Sequence, residues 1–323
     1  MPVQDVVAAW DRKSPAWSRP LAVGLAYGVG VPIVKTLECF GQWPKAMGGM
    51  TSRVMGDFGD YQPTGHDVMA CSYFKSGTHW LMQIALQIAW RGEASFDHIH
   101  DLIPWPDGPR RNWAAVTLED EAPWRDAPTG LRVIKTHLPL HRTPYDPAAR
   151  YVAVVRDPKD VCVSGYHFIH DGLLGPMMPT VDHWVDFFLS PEFFLGTWWT
   201  HLDSYWRARD RPNVVFLTFE EMKADPEGSV RRIADLMGVG LTAQELARVV
   251  EQSSFAAMKR IEEKISPPMR PPWAKGGTAL RKGEKGGSHE LLTAAQQARI
   301  DDVCRAELKR LGCDFDYDGA FAS

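Results

Sequence analysis

Tyr73-Phe74-Lys75-Ser76-Gly77-Thr78-His79-Trp80 is the stretch on which the fold turns. An apolar β-type run, His66–Phe74, leads into it. A segment with apolar residues on nearly every side, His79–Trp90, leads out, and that pattern predicts a deeply buried helix. In a strand–turn–helix of this kind successive backbone N–H groups point into a concavity at the helix N-terminus, where anions bind. Lys75 adds a mobile positive charge, and Gly77 permits close backbone approach. The pattern G-x-x-x-x-G-K-[ST] is absent, so this is not a Walker A loop. Taken alone, an ordinary turn with an incidental lysine fits the same residues.

Three more β-type runs follow at Leu131–Lys135, Tyr151–Arg156 and Val214–Phe219. Asp157-Pro158 has the form of an N-cap followed by proline at the first helical position, and opens a helix over Lys159–His170. Asp225-Pro226 repeats that signature before a helix ending at Met237. Thr242-x-x-Glu245 and Thr293-x-x-Gln296 are capping boxes for two later helices. Short strands alternating with helices predict an α/β fold: a single domain with a central parallel sheet flanked by helices and a P-loop-like anion-binding loop.

Further chemistry sits where strands end, the edge at which parallel sheets bind ligands. Val133-Ile134-Lys135-Thr136-His137-Leu138-Pro139 places a histidine beside a lysine. His137 suits a general base, and equally a hydrogen-bonded core residue. Pro139 argues against a helix that would bring His137 and His141 together on a metal, and His98 and His100 are a weak pair. No convincing metal constellation is visible. The run Tyr151–Val155 ends in Arg156, and the following helix turns Ser164 back toward it. The planar fork of Arg156 fits phosphate oxygens, or a scaffold pair with Asp157 or Asp160. From Lys264 to Glu290 runs a long loop with two Pro-Pro pairs and several cations, expected to act as a lid. Within it Arg281-Lys282-Gly283 suits a second phosphate, or a solvated basic loop.

Composition narrows the class. Of 323 residues, 45% are hydrophobic and 24% charged, which suits a soluble globular chain with a sizeable core. The net charge of −4 argues against a protein that coats nucleic acid. Five scattered cysteines without a C-x-x-C read as reduced thiols of a cytoplasmic protein. The 14-residue apolar run Leu21–Val34 follows Arg12, Lys13 and Arg19. It stands too late for a signal peptide and is short for a membrane span, so the expectation is a helix packed on the protein. Stable membrane insertion is not expected, with weak membrane-surface contact the lesser alternative. Residues 1–60 are expected to form a helical extension packed on a domain over 61–323, with the lid loop around 264–290. The 13 Trp suggest aromatic platforms as well as core.

Together the four motifs resemble those of the cytosolic sulfotransferase family: a Y-P-K-S-G-T-T-W loop, a K-T-H-L-P strand end, an R-N-P-K-D-V-x-V-S segment and a late R-K-G-x-x-G loop. Order and spacing match across Val68–Gly286. The resemblance implies sulfuryl transfer from 3′-phosphoadenosine 5′-phosphosulfate, leaving adenosine 3′,5′-bisphosphate, with no metal needed for charge balance. By motif position Lys75, Ser76, Gly77 and Thr78 would hold the phosphosulfate. Trp80 and Phe255 would flank adenine. Arg156, Ser164, Arg281, Lys282 and Gly283 would hold the 3′-phosphate, His137 would be the base, and Lys135 would neutralise the sulfuryl oxygens. His79 replaces a second threonine of the family loop, and its imidazole would donate to the phosphate or fill space. Phe219 stands where relatives carry tyrosine, Gly286-Gly287-Ser288-His289 replaces the G-D-W-K ending, and the family's C-terminal dimer signature is missing.

The implied acceptor is a small molecule with a hydroxyl or amine. Trp105, Trp113, Trp124, Phe168, Trp184, Phe187 and Phe188 lie between the motifs, where an acceptor pocket would be walled, and suit a hydrophobic or aromatic compound. Two other readings compete: a divergent P-loop small-molecule kinase, and a nucleotide-binding module retired from catalysis. Oligomeric state is not legible.

Overall fold

A computed structural model describes residues 18–53, 55–109, 116–266, 280 and 287–321. Its frame is a four-stranded parallel sheet: β1 (Asp67–Ser72), β2 (Arg132–Thr136), β3 (Arg150–Val155) and β4 (Val214–Thr218), in the order β2-β1-β3-β4. The register aligns Cys71 with Thr136 and with Ala153, so all the C-terminal ends open on one edge. Every β1 and β2 residue is buried, because helices cover both faces. This is why these strands read as continuous apolar runs and not as alternating ones.

The observed strands lie within two residues of the expected runs. β1 is shorter than predicted because Tyr73 and Phe74 leave the ladder to begin the loop. The buried helix spans Thr78–Ala89 and packs on the face carrying Val68, Ala70, Val133 and Val154. Pro226–Met237 and Ala243–Gln252 cover the same face. Pro158–Ile169, Trp198–Trp206 and Ala294–Leu311 cover the other, against Met69, Cys71, Ile134 and Ala153. The Asp157 carboxylate accepts from the Lys159 N–H at 2.8 Å, and both predicted capping boxes form. At the other edge of the sheet a buried pair, Arg132 Nε to Asp67 Oδ1 at 2.7 Å, ties β2 to β1. Arg132 also donates to the carbonyls of Leu118 and Asp120.

The N-terminal apolar run lies along the domain with much of its apolar surface outward. It is helical from Ser18 through Cys39, with a π-helical turn over Ala26–Gly30. It touches the domain along one narrow line only. Leu21, Leu25, Tyr27, Val29, Ile33 and Phe40 are all more than half exposed. All five cysteines carry free thiols, and three of them, Cys71, Cys162 and Cys304, are buried.

Candidate active site

The loop after β1 has the geometry of an anion cradle. Lys75 holds φ 60° and Gly77 φ 92°. Left-handed residues flanking Ser76 turn successive N–H groups to one side. No side chain caps the helix that starts at Thr78, so its first-turn N–H groups remain available to an anion. The Ser76 hydroxyl is fully buried and has no hydrogen-bond partner among the described residues. A buried orphan hydroxyl is costly, and an anionic oxygen in the cradle would satisfy it. Gly77 is required twice over: its φ disfavours any side chain, and a Cβ there would lie 2.8 Å from the Phe219 ring. The Thr78 hydroxyl accepts from Ser72 Oγ at 2.7 Å.

A cavity of about 790 Å³ begins at this loop. Lys75, Gly77, Thr78, His79, Trp80, Lys135, His137, Arg156, Ser164 and Phe255 all line it. The sheet explains the convergence. β1 is flanked by β2 on one side and β3 on the other, so the crossovers leave in opposite directions and open a crevice above β1. The loop after β1 brings Lys75, that after β2 brings His137, and that after β3 brings Arg156. Arg281, Lys282 and Gly283 lie outside the described residues, as does most of the expected lid and Trp113.

His137 is held as a neutral imidazole. Its Nδ1 lies 2.7 Å from the Ser72 carbonyl oxygen. A carbonyl can only accept, so Nδ1 carries the proton and Nε2 keeps the lone pair. Burial, and then the nearby Lys135 charge, hold the imidazolium form well below its usual range. The His137 backbone N–H donates to Asp107 Oδ2 at 2.7 Å, and Trp105 meets the imidazole edge-to-face. Asp107 is pushed up to about 6 by burial.

Lys135 is 4% exposed, and its Nζ sits 3.3 Å from the centre of the Trp105 ring. Burial drops its pKa to about 7, opposed by Asp107 and reinforced by Lys75. Near neutral pH this lysine is therefore poised between charged and uncharged forms. His79 is kept neutral by burial and by the charges of Lys135 and Lys75. A neutral imidazole retains one N–H to offer an anion.

Arg156 forms the scaffold pair with its helix and also faces the cavity. It pairs with Asp160 at 3.1 Å and still lines the cavity, with its guanidinium 4.5 Å from the centre of the Phe219 ring. Trp80 meets Phe219 edge-to-face at 5.4 Å, and Phe255 lines the same arm. Sequence reasoning had placed Phe219 only as a lost hydroxyl. Here its ring joins Trp80 to Arg156.

The far arm of the cavity is apolar. Of the suggested acceptor walls, Trp105, Phe168, Trp184 and Phe187 line the cavity. Trp124 does not: it stacks on His66 at 4.1 Å, away from the cavity. Phe188 does not either, being 1% exposed within the core. The sequence reading missed Met47, Met50 and Met55, because they arrive from the N-terminal segment. It also missed Asp107, whose only local signal is its place two residues after Trp105. His98 and His100 bond the Ser266 and Ile103 carbonyls rather than converging on a metal. Among the described residues no group of three His, Cys, Asp or Glu side chains converges on one point.

This arrangement of loop, neutral imidazole and flanking cations on a parallel sheet has relatives. Residues 65–312 match the family model described as a sulfotransferase domain. The chain belongs to that family and is a sulfotransferase. Sulfotransferase 1C2 of Oryctolagus cuniculus is 27% identical over 282 residues, spanning 80% of this chain and 89% of the relative. Sulfotransferase 2A6 of Mus musculus is 30% identical over 245 residues, spanning 73% and 82%. Among solved structures, retinol dehydratase in complex with retinol and PAP superposes with a TM-score of 0.64 at 22% identity, covering 79% of this chain and 84% of that one. The same enzyme with androsterone and inactive cofactor PAP gives 0.62 at 22% identity, covering 80% and 84%. These superpositions show the shared fold.

Proposed function

We propose that this sulfotransferase moves a sulfuryl group from 3′-phosphoadenosine 5′-phosphosulfate to the hydroxyl, or amine, of a small hydrophobic or aromatic acceptor in the cytoplasm. The observation that carries the reading is the single cavity running from the Lys75–Trp80 cradle past His137 into an apolar arm. The donor's class is supported by the cradle, by the buried Ser76 hydroxyl, and by the PAP in the retinol dehydratase complexes. The acceptor's class is supported by the methionine and phenylalanine walls, and by the retinol and androsterone held by that same neighbour.

In this reading Lys75, Ser76, Gly77, Thr78 and His79 hold the phosphosulfate end. Trp80, Phe219 and Phe255 form the adenine platform. Arg156 and Ser164, with Arg281, Lys282 and Gly283 from the lid, take the 3′-phosphate. His137 Nε2 accepts the acceptor's proton as the new S–O bond forms. The bridging S–O bond breaks with its electron pair going to the 5′-phosphate, where Lys75 neutralises the charge. Lys135, charged when an anion lies beside it, steadies the sulfuryl oxygens. The apolar walls exclude water, so transfer to the acceptor outcompetes hydrolysis.

The test is a donor-saturated screen of hydroxyl and amine compounds, read by mass spectrometry for an added sulfuryl group. Sulfation of lipophilic alcohols or phenols, abolished by His137→Ala with binding of adenosine 3′,5′-bisphosphate retained, is the expected result. Bisphosphate binding without sulfation of any compound would instead favour the retired module. Membership of the sulfotransferase family leaves the kinase reading without support.

A further inference from the structure

The apolar helix at the N-terminal end has no part in the chemistry above, yet it stands beside the acceptor arm. Over Pro20–Cys39 it is long and apolar enough to cross a membrane, and only 6% of it is buried. A core helix of a soluble protein would be mostly buried. The contacts it does make are spread along its length. Ala26 is buried. A Cβ at Gly30 would collide with Met177 Sδ, so the backbone runs flush against that residue. Glu38 is buried, accepts from the Thr180 N–H at 2.7 Å, and pairs with Lys35 at 2.7 Å. Positions 26 to 38 cover about 18 Å of helix rise. A helix held to the domain over that distance lies along it and cannot cross a bilayer by itself.

What faces outward is a row of Leu21, Leu25, Tyr27, Val29 and Ile33, continued by Phe40. Among the described residues nothing covers it. Met50 and Leu173, 53% and 41% exposed, are further uncovered apolar side chains, and both line the acceptor cavity. The charge pattern is equally one-sided. From residue 18 to residue 53 the sequence carries Arg19, Lys35, Lys45 and Arg53, and its only acidic residue is the buried Glu38. Exposed apolar side chains within a basic segment are the signature of a helix lying in the interface of an anionic membrane.

We propose that this helix seats the enzyme on an anionic lipid bilayer, lying in its surface, with the mouth of the acceptor cavity turned to the lipid. An acceptor dissolved in the membrane then reaches His137 through the Met50–Leu173 rim without crossing water. That last step rests on the proposed acceptor class; the docking itself does not.

The experiment uses the full chain and two vesicle preparations, phosphatidylcholine alone and phosphatidylcholine with phosphatidylserine, and reads vesicle binding separately from turnover. Co-sedimentation with the anionic vesicles, weakened by high salt, is expected. L21S/L25S/I33S should lower vesicle partition by roughly tenfold or more and leave sulfation of a water-soluble phenol unchanged. Cys39 is exposed, so a polarity-sensitive fluorophore on it in a C313S background reports insertion in the otherwise unaltered chain. A blue shift with anionic vesicles is expected. A chain that stays in the supernatant with no spectral shift overturns the proposal. So does a vesicle-free dimer that the triple substitution converts to monomer, which would make the face a contact between copies. An intact mass lacking this segment would mark it as a removed leader and overturn the proposal too. Vesicle binding with no sulfation of any compound would sink the proposed function alone.

Discussion

Lys135 offers the sharpest test of the site's electrostatics. Its pKa is near 7 because burial disfavours the ammonium and Lys75 repels it, while Asp107 only partly compensates. Binding adenosine 3′,5′-bisphosphate in the cradle would bring a negative phosphate close to it. One negative charge roughly 6 Å away, at an effective dielectric of about 20, is worth ~2.8 kcal/mol, or about 2 pKa units. At pH 8 the free lysine is mostly neutral, about one-tenth protonated, and a pKa raised by ~2 units would leave it about nine-tenths protonated. Binding at pH 8 should therefore take up roughly 0.8 proton from solvent, since the ligand's own phosphates are already deprotonated there. Isothermal titration calorimetry in two buffers of different ionisation enthalpy measures that number directly. At pH 6 the lysine is already charged, so its share of the uptake should be small. The Lys135→Met protein should still bind, more weakly, and should lose the uptake at pH 8. Uptake that persists in Lys135→Met, or none in the original protein, would refute the assignment.

Three further outcomes follow from the same geometry. His137→Ala should cut kcat by about 10²–10⁴-fold with bisphosphate affinity nearly unchanged. Because burial depresses the His137 pKa, any acid limb it imposes on turnover should lie below pH 6.5, as a pH–rate profile checks. Gly77→Ala forces a side chain into φ 92° and against Phe219, costing about 1–2 kcal/mol of strain and displacing the ring beneath Trp80 and Arg156. That strain should appear as lost stability in denaturant unfolding, while bisphosphate affinity should fall by calorimetry because the displaced ring shifts Trp80 and Arg156. Arg132→Ala leaves Asp67 buried without its cation and should cost about 3–5 kcal/mol in denaturant unfolding, with bisphosphate affinity unchanged because the pair lies at the opposite sheet edge.

Legibility differed between parts of the site for physical reasons. Gly77, Lys75 and Thr78 stand within one strand–loop–helix, so local sequence carries their geometry. His137 and Arg156 were visible because each ends a buried strand, and parallel strands bring those ends to one edge. Trp124 and Phe188 were misplaced as pocket walls because an aromatic residue in a connecting segment looks the same whether it faces a cavity or the core. Met47, Met50 and Met55 were invisible because the elements that carry them are distant in sequence from every motif.

Thus the sequence by itself determined the parallel α/β frame, the turn geometry of the loop after β1 and the residues that gather at that sheet edge. Each depends on nearest neighbours along the chain: caps, glycines, and apolar runs of set length. Only the tertiary structure decided the tautomer of His137, the poise of Lys135 and the exposure of the Leu21–Ile33 row. Those depend on which distant groups pack against a side chain and how much water they remove. A lysine shielded by Trp105 and opposed by Asp107 differs from any other lysine in its surroundings alone.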